Sequence, residues 1–484
     1  MTERTLIQRL AERIRAFGPA QMTPQAVVLA RTAIIDTLGV ALAGSAEPCT
    51  TNLLRTPGVA EALGPCTVFG TDRRTSALDA TFVNATASHA LDYDDFSEPL
   101  GGHQSVPLVA PLVAIAEERR LSGARLIEAY VVGIETEIRL ARAVNFHHYD
   151  KGWHPTATLG IFGTVAAVGH MIGLDEPRLT VALAIAASFA SGVKANFGTM
   201  VKPLHVGQSC RNGILAVLLA EAGYDANPAA LEHKQGFLNA FNGPGTYDAE
   251  RIFANWASPL EVTSPAMGLK QFPCCGSTHP SISIMLALRQ QPGVTPENVE
   301  HIEIMPHGRR LPHTDNPDPR TPLAAKFSVQ YVVARALLDG SVRLGHFEDS
   351  SHMDPAVRAI MARTTVRPHP DMADDAADQF GAEVRVTLRD GRVISRRADG
   401  LVGRGGDNPM SGEELWEKFR DCARRALPRQ DIMPLFERLE SLDKVGDIGD
   451  LARMLATRSV PGAAAPHPKA TAPGNTLQET SWVP

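Results

Sequence analysis

Long apolar segments without a charged face dominate the first half of this 484-residue chain. Several are rich in alanine and glycine and would be apolar on most sides of a helix. Such helices pack against other helices on all sides, so these segments predict a large helical domain. They lie at 106–116, 126–134, 156–174, 180–190 and 214–219.

The segment 156–174 is long enough to raise the question of a membrane span. It contains several glycines and His170, which favour a buried helix instead. Charged residues such as Glu3 and Arg4 precede any long apolar run, which argues against a secretory signal. Six cysteines without a C-x-x-C pair are typical of free thiols in a reducing compartment. We therefore expect a cytoplasmic protein that does not enter a membrane.

Helices are predicted toward both ends of the chain. Thr23 and Pro24 are the residue types preferred at an N-cap and at the first helical position. Ser411 and Glu414 have the spacing of a capping box ahead of an apolar run. Helical structure therefore returns near the C-terminus, after a region of different character.

Strand patterns are clearest after residue 264. Apolar and charged residues alternate at 383–395, and Asp390-Gly391 predicts a type I′ hairpin turn there. Helical segments also lie in this region, which makes it an α+β block. The last residues, rich in alanine, proline, threonine and lysine, predict a disordered tail. We expect a helical domain at 1–266 that continues at 402–460, an α+β insert at 267–401 and the tail at 461–484.

Charge and missing motifs exclude several functional classes. The net charge is −6 and there is no basic run, so no nucleic-acid partner is expected. Local cations must then hold any anionic ligand. The fingerprints G-x-G-x-x-G, G-x-x-x-x-G-K-[ST] and H-E-x-x-H are absent, and the glycine-rich run 403–406 is interpreted as a flexible connection. His147 and His148 are adjacent and would point about 100° apart on a helix. We predict no metal and no other cofactor.

Three histidines precede apolar helical runs. His154 and His279 are each followed by proline, and His103 stands shortly before Pro107. Because proline favours the first turn of a helix, all three are predicted near helix N-termini. Such termini bind carboxylates and favour a neutral imidazole that can act as a base. Each histidine could instead be a capping or core residue.

Charged residues in unusual surroundings are further candidates. Lys194, Lys202 and Lys270 lie among glycine, proline and apolar residues, so each could be a desolvated base, a carboxylate clamp or a surface lysine. The acidic run 92–95 could bind a metal, cap a helix or orient a histidine. Cys275 could be a nucleophile or a small buried residue.

Taken together, several segments resemble the signatures of the MmgE/PrpD family, in the family's order and over about residues 5–455. The family contains 2-methylcitrate dehydratases, cis-aconitate decarboxylases and iminodisuccinate epimerases. The resemblance implies a mainly α fold, with a large all-helical domain built from both chain ends and a smaller α+β lid domain. It also implies a homodimer. The segments are 88–95, 152–156, 202–207, 270–280, 327–331 and 408–411.

The resemblance also implies the residues of the site. The first aspartate of the acidic motif corresponds to Asp92, and the catalytic histidines correspond to His103 and His154. The remaining positions are a lid tyrosine with a catalytic role and a set of substrate-binding residues. The resemblance gives Tyr331 for the tyrosine and Lys202 and Lys270 for the substrate-binding set, to which we add Lys194, His205 and Cys275 as further substrate-binding candidates.

Two positions depart from the animal decarboxylases of the family. These carry threonine where this chain has Phe96, and histidine where this chain has Cys275. Both departures weaken the expectation of an animal-type decarboxylase. The segments 101–103, 196–200 and 319–321 are similar to the epimerase branch.

The resemblance therefore predicts a cofactor-independent acid–base lyase that acts on a small di- or tricarboxylate. Dehydration of a 2-methylcitrate-like hydroxy acid is the favoured reaction. Epimerisation of a dicarboxylate such as iminodisuccinate and decarboxylation of cis-aconitate are alternatives. A carboxylate-binding protein without turnover and a metal-dependent hydrolase are alternatives outside the family.

Overall fold

The computed structural model describes residues 4–264, 267–372, 381–398 and 409–457. The first of these stretches is mostly helical, and its helix ends follow the local sequence. Thr5 forms a capping box with Gln8, and Thr23 caps a helix that has Pro24 at its first position, as predicted. The helices are α1 (Leu6–Ala16), α2 (Pro24–Gly44), α3 (Pro48–Arg55), α4 (Ala77–His89), α5 (Val109–Arg119), α6 (Gly123–Val144), α7 (His147–Asp150), α8 (Pro155–Thr158), α9 (Gly160–Ile172), α10 (Glu176–Phe189) and α11 (Val201–Glu221).

Three C-terminal helices complete the helical part of the molecule. They are α16 (Gly412–Ala423), α17 (Arg429–Glu440) and α18 (Ile448–Ala452). Ser411 forms the predicted capping box with Glu414 at the start of α16. Helix α16 packs on α2, where a Cβ added at Gly39 would lie 2.9 Å from the Phe419 ring. Buried residues from both chain ends therefore share one hydrophobic core.

A smaller α+β part has a core of its own. Its helices are α12 (His279–Leu288), α13 (Pro322–Lys326), α14 (Val329–Asp339) and α15 (Pro355–Met361). Its four-stranded sheet has the order β6-β5-β7-β8, in which only the β5–β6 pair is parallel. The strands of this sheet are β5 (Val299–Pro306), β6 (Thr364–Val366), β7 (Ala382–Leu388) and β8 (Val393–Ala398), and shorter pairs are formed by β1 (Cys66–Thr67) with β2 (Arg74–Thr75) and by β3 (Phe96–Ser97) with β4 (Met267–Gly268).

The β7–β8 hairpin has a different turn from the one predicted. The backbone N–H of Leu388 donates to Arg392 O, which leaves a loop of three residues between the strands. Within this loop Gly391 has φ +86°, whereas Asp390 is not among the positive-φ residues. This is the pattern of a type I turn followed by a left-handed glycine, and a type I′ turn needs two positive φ angles. The Asp390 side chain stabilises the loop by accepting from Arg392 N at 3.0 Å.

The mainly α fold with a smaller α+β part is confirmed. Two helical stretches, Pro24–Gly44 and Pro155–Ile172, are long and apolar enough to cross a membrane, but most of their residues are buried inside the protein. The domain boundaries, the homodimer and the cytoplasmic location stay predictions. The predicted tail and the glycine-rich run 403–406 lie outside the described residues.

Candidate active site

The loop that follows α4 carries the acidic motif. Helix α4 ends at His89, and Asp92 has φ +54°, a left-handed conformation that aspartate tolerates better than most residues. The loop is joined to the α+β part by the β3–β4 pair. The motif therefore lies where the two parts of the molecule meet.

Asp92 is held between two lysines from different parts of the chain. Lys202 Nζ, in the first turn of α11, is 2.7 Å from Asp92 Oδ1. Lys270 Nζ donates to Asp92 Oδ2 at 3.0 Å and to the backbone oxygen of Asp92 at 2.6 Å. Burial raises the pKa of Asp92, but the two ammonium groups outweigh burial and hold this pKa well below its usual value. The predicted residues Asp92, Lys202 and Lys270 thus form one ionic group.

Asp94 lies between two histidines. Its Oδ2 atom is 2.8 Å from His89 Nδ1 and 2.8 Å from His103 Nδ1. His103 Nε2 is 3.5 Å from Asp92 Oδ1, so both ring nitrogens of His103 face carboxylates. Burial, outweighing the neighbouring Asp94, lowers the pKa of His89 to about 4. Asp94 rather than Asp92 is therefore the nearer orienting group for His103.

His154 completes the cluster from the start of α8. As predicted, it lies at a helix N-terminus, where it is the N-cap residue of this short helix. Its ring stacks on His89 with centroids 5.7 Å apart, and its Nδ1 is 3.3 Å from His205 Nδ1. Its Nε2 is buried and has no hydrogen-bond partner among the described residues. Burial, with further contributions from His89 and Lys202, holds the pKa of His154 well below its usual value, so the ring is neutral at pH 7.

The α+β part contributes Lys270 and Cys275 to the region where the two parts of the molecule meet. Burial raises the pKa of the Cys275 thiol, which therefore stays protonated and is a poor nucleophile. The backbone N–H of Cys275 donates to Lys326 O at 3.0 Å. The Lys326 ammonium in turn donates to Leu91 O at 2.8 Å, and burial lowers the pKa of Lys326.

Lys418, on α16, fixes the backbone beneath the cluster. Its buried ammonium is 2.6 Å from Asp36 Oδ1 on α2. It also donates to Tyr93 O at 3.0 Å and to Lys270 O at 2.8 Å. Through Lys418, helix α16 thus contacts both the segment that carries Asp92 and the segment that carries Lys270.

Two of the predicted site residues are directed elsewhere. Lys194 Nζ donates to Tyr149 O at 3.0 Å and lies 3.2 Å from the centroid of the Tyr149 ring. The hydroxyl of Tyr331 donates to His346 O and accepts from Arg335 Nε at 3.1 Å, within the core of the α+β part. The structure does not bring either group to the histidine cluster.

The expectation about helix N-termini is wrong for one of the three histidines. His103 lies in the loop before α5, which begins only at Val109. Its backbone N–H donates to Thr156 Oγ1 at 3.1 Å, so a side chain of α8 positions it instead. His279 does begin α12, but its Nε2 is 3.3 Å from Cys274 O, inside the α+β part.

Sequence reasoning missed four residues that shape the site. His89 and Asp94 flank the predicted Asp92 in sequence and could have been included on that ground. Lys326, between two alanines and Phe327, has the apolar surroundings that marked the other lysines. Lys418 lies among charged residues of an amphipathic helix, and no sequence signal distinguishes it from a surface lysine.

One group in the cluster has the spacing of a metal site. Ligand atoms of His89, Asp94 and His103 all lie within 4.8 Å of one another. The two lysine ammonium groups beside Asp92 make this region unfavourable for a divalent cation. We therefore interpret the group as a carboxylate that orients two imidazoles, which agrees with the prediction of acid–base chemistry.

A cavity of about 770 Å³ lies beside α6, away from the histidine cluster. Two of its arginines are paired with carboxylates, Arg139 with Glu135 and Glu261 and Arg142 with Glu261. Their positive charge is thereby compensated, so this cavity is a weaker candidate for an anionic substrate.

Comparison with known proteins gives matches over most of the chain. The MmgE/PrpD N-terminal domain matches residues 8–250, and the MmgE/PrpD C-terminal domain matches residues 272–439. The chain is 29% identical over 471 residues to a cis-aconitate decarboxylase of Mus musculus, with 95% of each chain covered. It is 29% identical over 482 residues to the human cis-aconitate decarboxylase, covering 97% of this chain and 98% of the relative. It is 26% identical over 446 residues to a 2-methylcitrate dehydratase of Cupriavidus necator, covering 83% and 87%.

These relatives are lyases, and the prediction of an enzyme of this type is confirmed. Matches to both domains account for most of the chain. The protein belongs to the MmgE/PrpD family.

Proposed function

We propose that the protein is a cofactor-independent acid–base lyase that removes a proton next to a carboxylate of a small di- or tricarboxylate. Dehydration of a 2-methylcitrate-like hydroxy acid is the reaction that the cluster supports best. The observation that carries this proposal is a neutral, buried histidine, His154, beside two lysines that already hold a carboxylate.

Substrate binding is assigned to the lysines. Asp92 shows that Lys202 and Lys270 bind a carboxylate in this geometry. Each ammonium has three N–H donors, and the contacts with Asp92 use one on Lys202 and two on Lys270. The remaining donors bind a substrate carboxylate and stabilise the negative charge that develops when the adjacent carbon loses its proton.

Proton transfer is assigned to two histidines. His154 Nε2 removes the proton from the carbon next to the bound carboxylate, because a neutral imidazole with an unpartnered nitrogen can act as a base. The electron pair of that C–H bond forms the C=C bond, and the C–O bond on the neighbouring carbon breaks. His103, oriented by Asp94, gives a proton to the departing hydroxyl, which leaves as water. Tyr331 has no part in this scheme, since its hydroxyl donates a hydrogen bond to His346 O.

Decarboxylation of cis-aconitate is the second candidate. It is favoured by the 29% identity to two decarboxylases over nearly the whole chain. In that reaction the C–C bond to the carboxylate breaks, CO₂ leaves and His103 protonates the carbanion. Phe96 and Cys275, which differ from the animal decarboxylases, favour the dehydratase.

The test is proton NMR of the purified protein in D₂O with 2-methylcitrate, cis-aconitate and iminodisuccinate in turn. Dehydration is expected to remove the α-proton signal of 2-methylcitrate and to turn its methyl doublet into a downfield singlet of a methyl group on a double bond, with no release of CO₂. Release of CO₂ from cis-aconitate would transfer the assignment to the second candidate. Exchange of the α-proton of iminodisuccinate for deuterium, with no alkene methyl signal from 2-methylcitrate, would identify an epimerase and overturn the lyase proposal.

Two controls separate the classes outside the family. Binding of all three acids without any proton exchange would identify a carboxylate-binding protein. Activity that is lost with a chelator and restored by a divalent metal would identify a metal-dependent enzyme. Either outcome contradicts the proposal.

A further inference from the structure

A short exposed segment covers the outer side of the histidine cluster. This segment, the strap (residues 192–200), connects α10 to α11. Its first residues pair with the segment that carries His154: Val193 bridges Trp153, His154 N donates to Gly192 O at 3.0 Å, and Lys194 N donates to Gly152 O at 2.8 Å. The strap is therefore hydrogen-bonded at one end to the segment that carries His154. At its other end it continues directly into α11, the helix that carries Lys202.

The base of the strap needs glycine at residue 192. Gly192 has φ +128°, and an added Cβ would lie 3.3 Å from Ala157 Cβ and 3.4 Å from the His205 ring. Any side chain would be strained there and would crowd the histidine that contacts His154. The close approach holds the strap against the cluster.

Phe197 is the aromatic residue that the strap turns toward the site. Val193 and Met200 are 43% and 54% exposed, whereas Phe197 is half-buried. Its ring meets the His154 ring edge-on, with centroids 4.9 Å apart and planes at 83°. Lys202 Nζ lies 5.3 Å from the centroid of the Phe197 ring. The ring thus contacts both the proposed proton acceptor and the proposed carboxylate-binding cation.

We propose that Phe197 sets the size of the substituent accepted on the carbon that loses its proton. This inference rests on the proposed function. The substrate would bind with its carboxylate at Lys202 and with its C–H bond at His154 Nε2. The substituent on the carbon of that C–H bond would then lie against the residue that contacts both Lys202 and His154. That residue is Phe197. The Phe197 ring is expected to reject a group that is one carbon too large, because its contact with the His154 ring limits the space on that side.

The test uses binding rather than turnover. The ligands are tricarballylate and its 1-methyl and 1-ethyl derivatives, which carry the substituent on the carbon that would lose its proton and have no hydroxyl group to lose. Dissociation constants are measured by calorimetry for the wild type, Phe197→Ala and Phe197→Leu. Met200→Ala, an exposed change on the same strap, is the matched control.

Phe197→Ala is expected to accept a larger substituent than the wild type. The ratio of the 1-ethyl to the unsubstituted dissociation constant should fall by roughly 10-fold or more, the scale of discrimination by a hydrophobic pocket per methylene group. Phe197→Leu should lie between the wild type and alanine, and Met200→Ala should leave the ratio unchanged. A purely structural role would change all three constants by one factor, and that result would overturn the inference. If the wild type binds none of the three acids, the proposed function fails and the inference fails with it.

Discussion

The histidine cluster lies between two walls that are held in different ways. The inner wall is fixed by buried charges, with Lys418 paired to Asp36 and donating to the backbone of the two segments that carry Asp92 and Lys270. The outer wall is the exposed strap, held by a few backbone contacts and one aromatic ring. Buried charge pairs tolerate little change, whereas surface segments vary more freely. We therefore expect changes in the inner wall to affect stability and the proposed reaction most, and changes in the outer wall to affect the proposed selection of substrate size.

Lys418→Met is expected to have the largest effect, because it removes the central contact of the inner wall. The Asp36 carboxylate would stay buried without its cation, which typically costs about 3–5 kcal/mol of unfolding free energy. Denaturant unfolding measures this loss, and Lys444→Met, at an exposed lysine, is the control.

A double variant separates the effect of Lys418 on the stability of the protein from its effect on the position of the site residues. Asp36→Asn with Lys418→Met removes both charges and should recover most of the lost unfolding free energy. It should still have low activity, since the contacts to Tyr93 O and Lys270 O are not restored. Full activity of this double variant would show that Lys418 does not position the site.

Lys202→Met tests the carboxylate-binding side of the inner wall. The Lys202–Asp92 pair is half-buried, so its loss should cost about 2 kcal/mol, at the low end of the range for charge pairs, and kcat/KM should fall by roughly 30-fold. Steady-state kinetics measures the fall, and the unfolding midpoint should change less than in Lys418→Met, because Asp92 keeps its contact with Lys270. A kcat/KM within twofold of the wild type would contradict the assignment.

Asp95→Asn tests a buried carboxyl group of the acidic motif through the pH dependence of the free energy of unfolding. Ser105 N donates to Asp95 Oδ1 at 3.2 Å, and the Ser105 hydroxyl contacts the other carboxyl oxygen. Burial, with the neighbouring Asp94 charge, raises the pKa of Asp95 to about 8. The unfolded chain releases this proton near pH 4 and the folded protein only near pH 8, so stability falls as pH rises between these values.

Asparagine carries no such proton but can keep the contacts to Ser105. The variant should therefore gain unfolding free energy relative to the wild type as pH rises, by about 1–3 kcal/mol between pH 5 and pH 7. Denaturant unfolding at several pH values gives the difference. A difference that stays constant with pH would show that Asp95 is ionised throughout.

Lys194→Met should have the smallest effect. Its ammonium contacts Tyr149 O and the Tyr149 ring rather than the cluster, although the sequence predicted a substrate-binding role. We expect kcat/KM within about threefold of the wild type in the assay that detects the Lys202→Met defect, as for exposed ion contacts of low net value. A loss as large as that of Lys202→Met would place Lys194 in the site after all.

Local signals predicted much of the fold and part of the site. Capping at Thr23 and Ser411 and the apolar helices are properties of neighbouring residues, so sequence reasoning recovered them. The turn at Asp390 was wrong because loop length, not the residue pair alone, selects the turn type. The resemblance provided Asp92, Lys202 and Lys270, which the structure brings together.

Contacts between residues that are distant along the chain could not be predicted from the sequence. Lys418 meets Asp36, Tyr93 and Lys270 only because the C-terminal helix returns to α2. The direction of Tyr331 depends likewise on the fold around His346, which no local pattern indicates. Both cases concern side chains whose partners are distant in sequence.

The most direct test of the central claim is the rate at which His154→Ala exchanges the α-proton of a bound substrate in D₂O, compared with the wild type. The account predicts a rate lower by roughly 10²–10⁴, the usual loss for a general base, with dissociation constants within a few-fold of the wild type. Exchange at the wild-type rate would contradict it, because His154 would then not be the group that takes the proton.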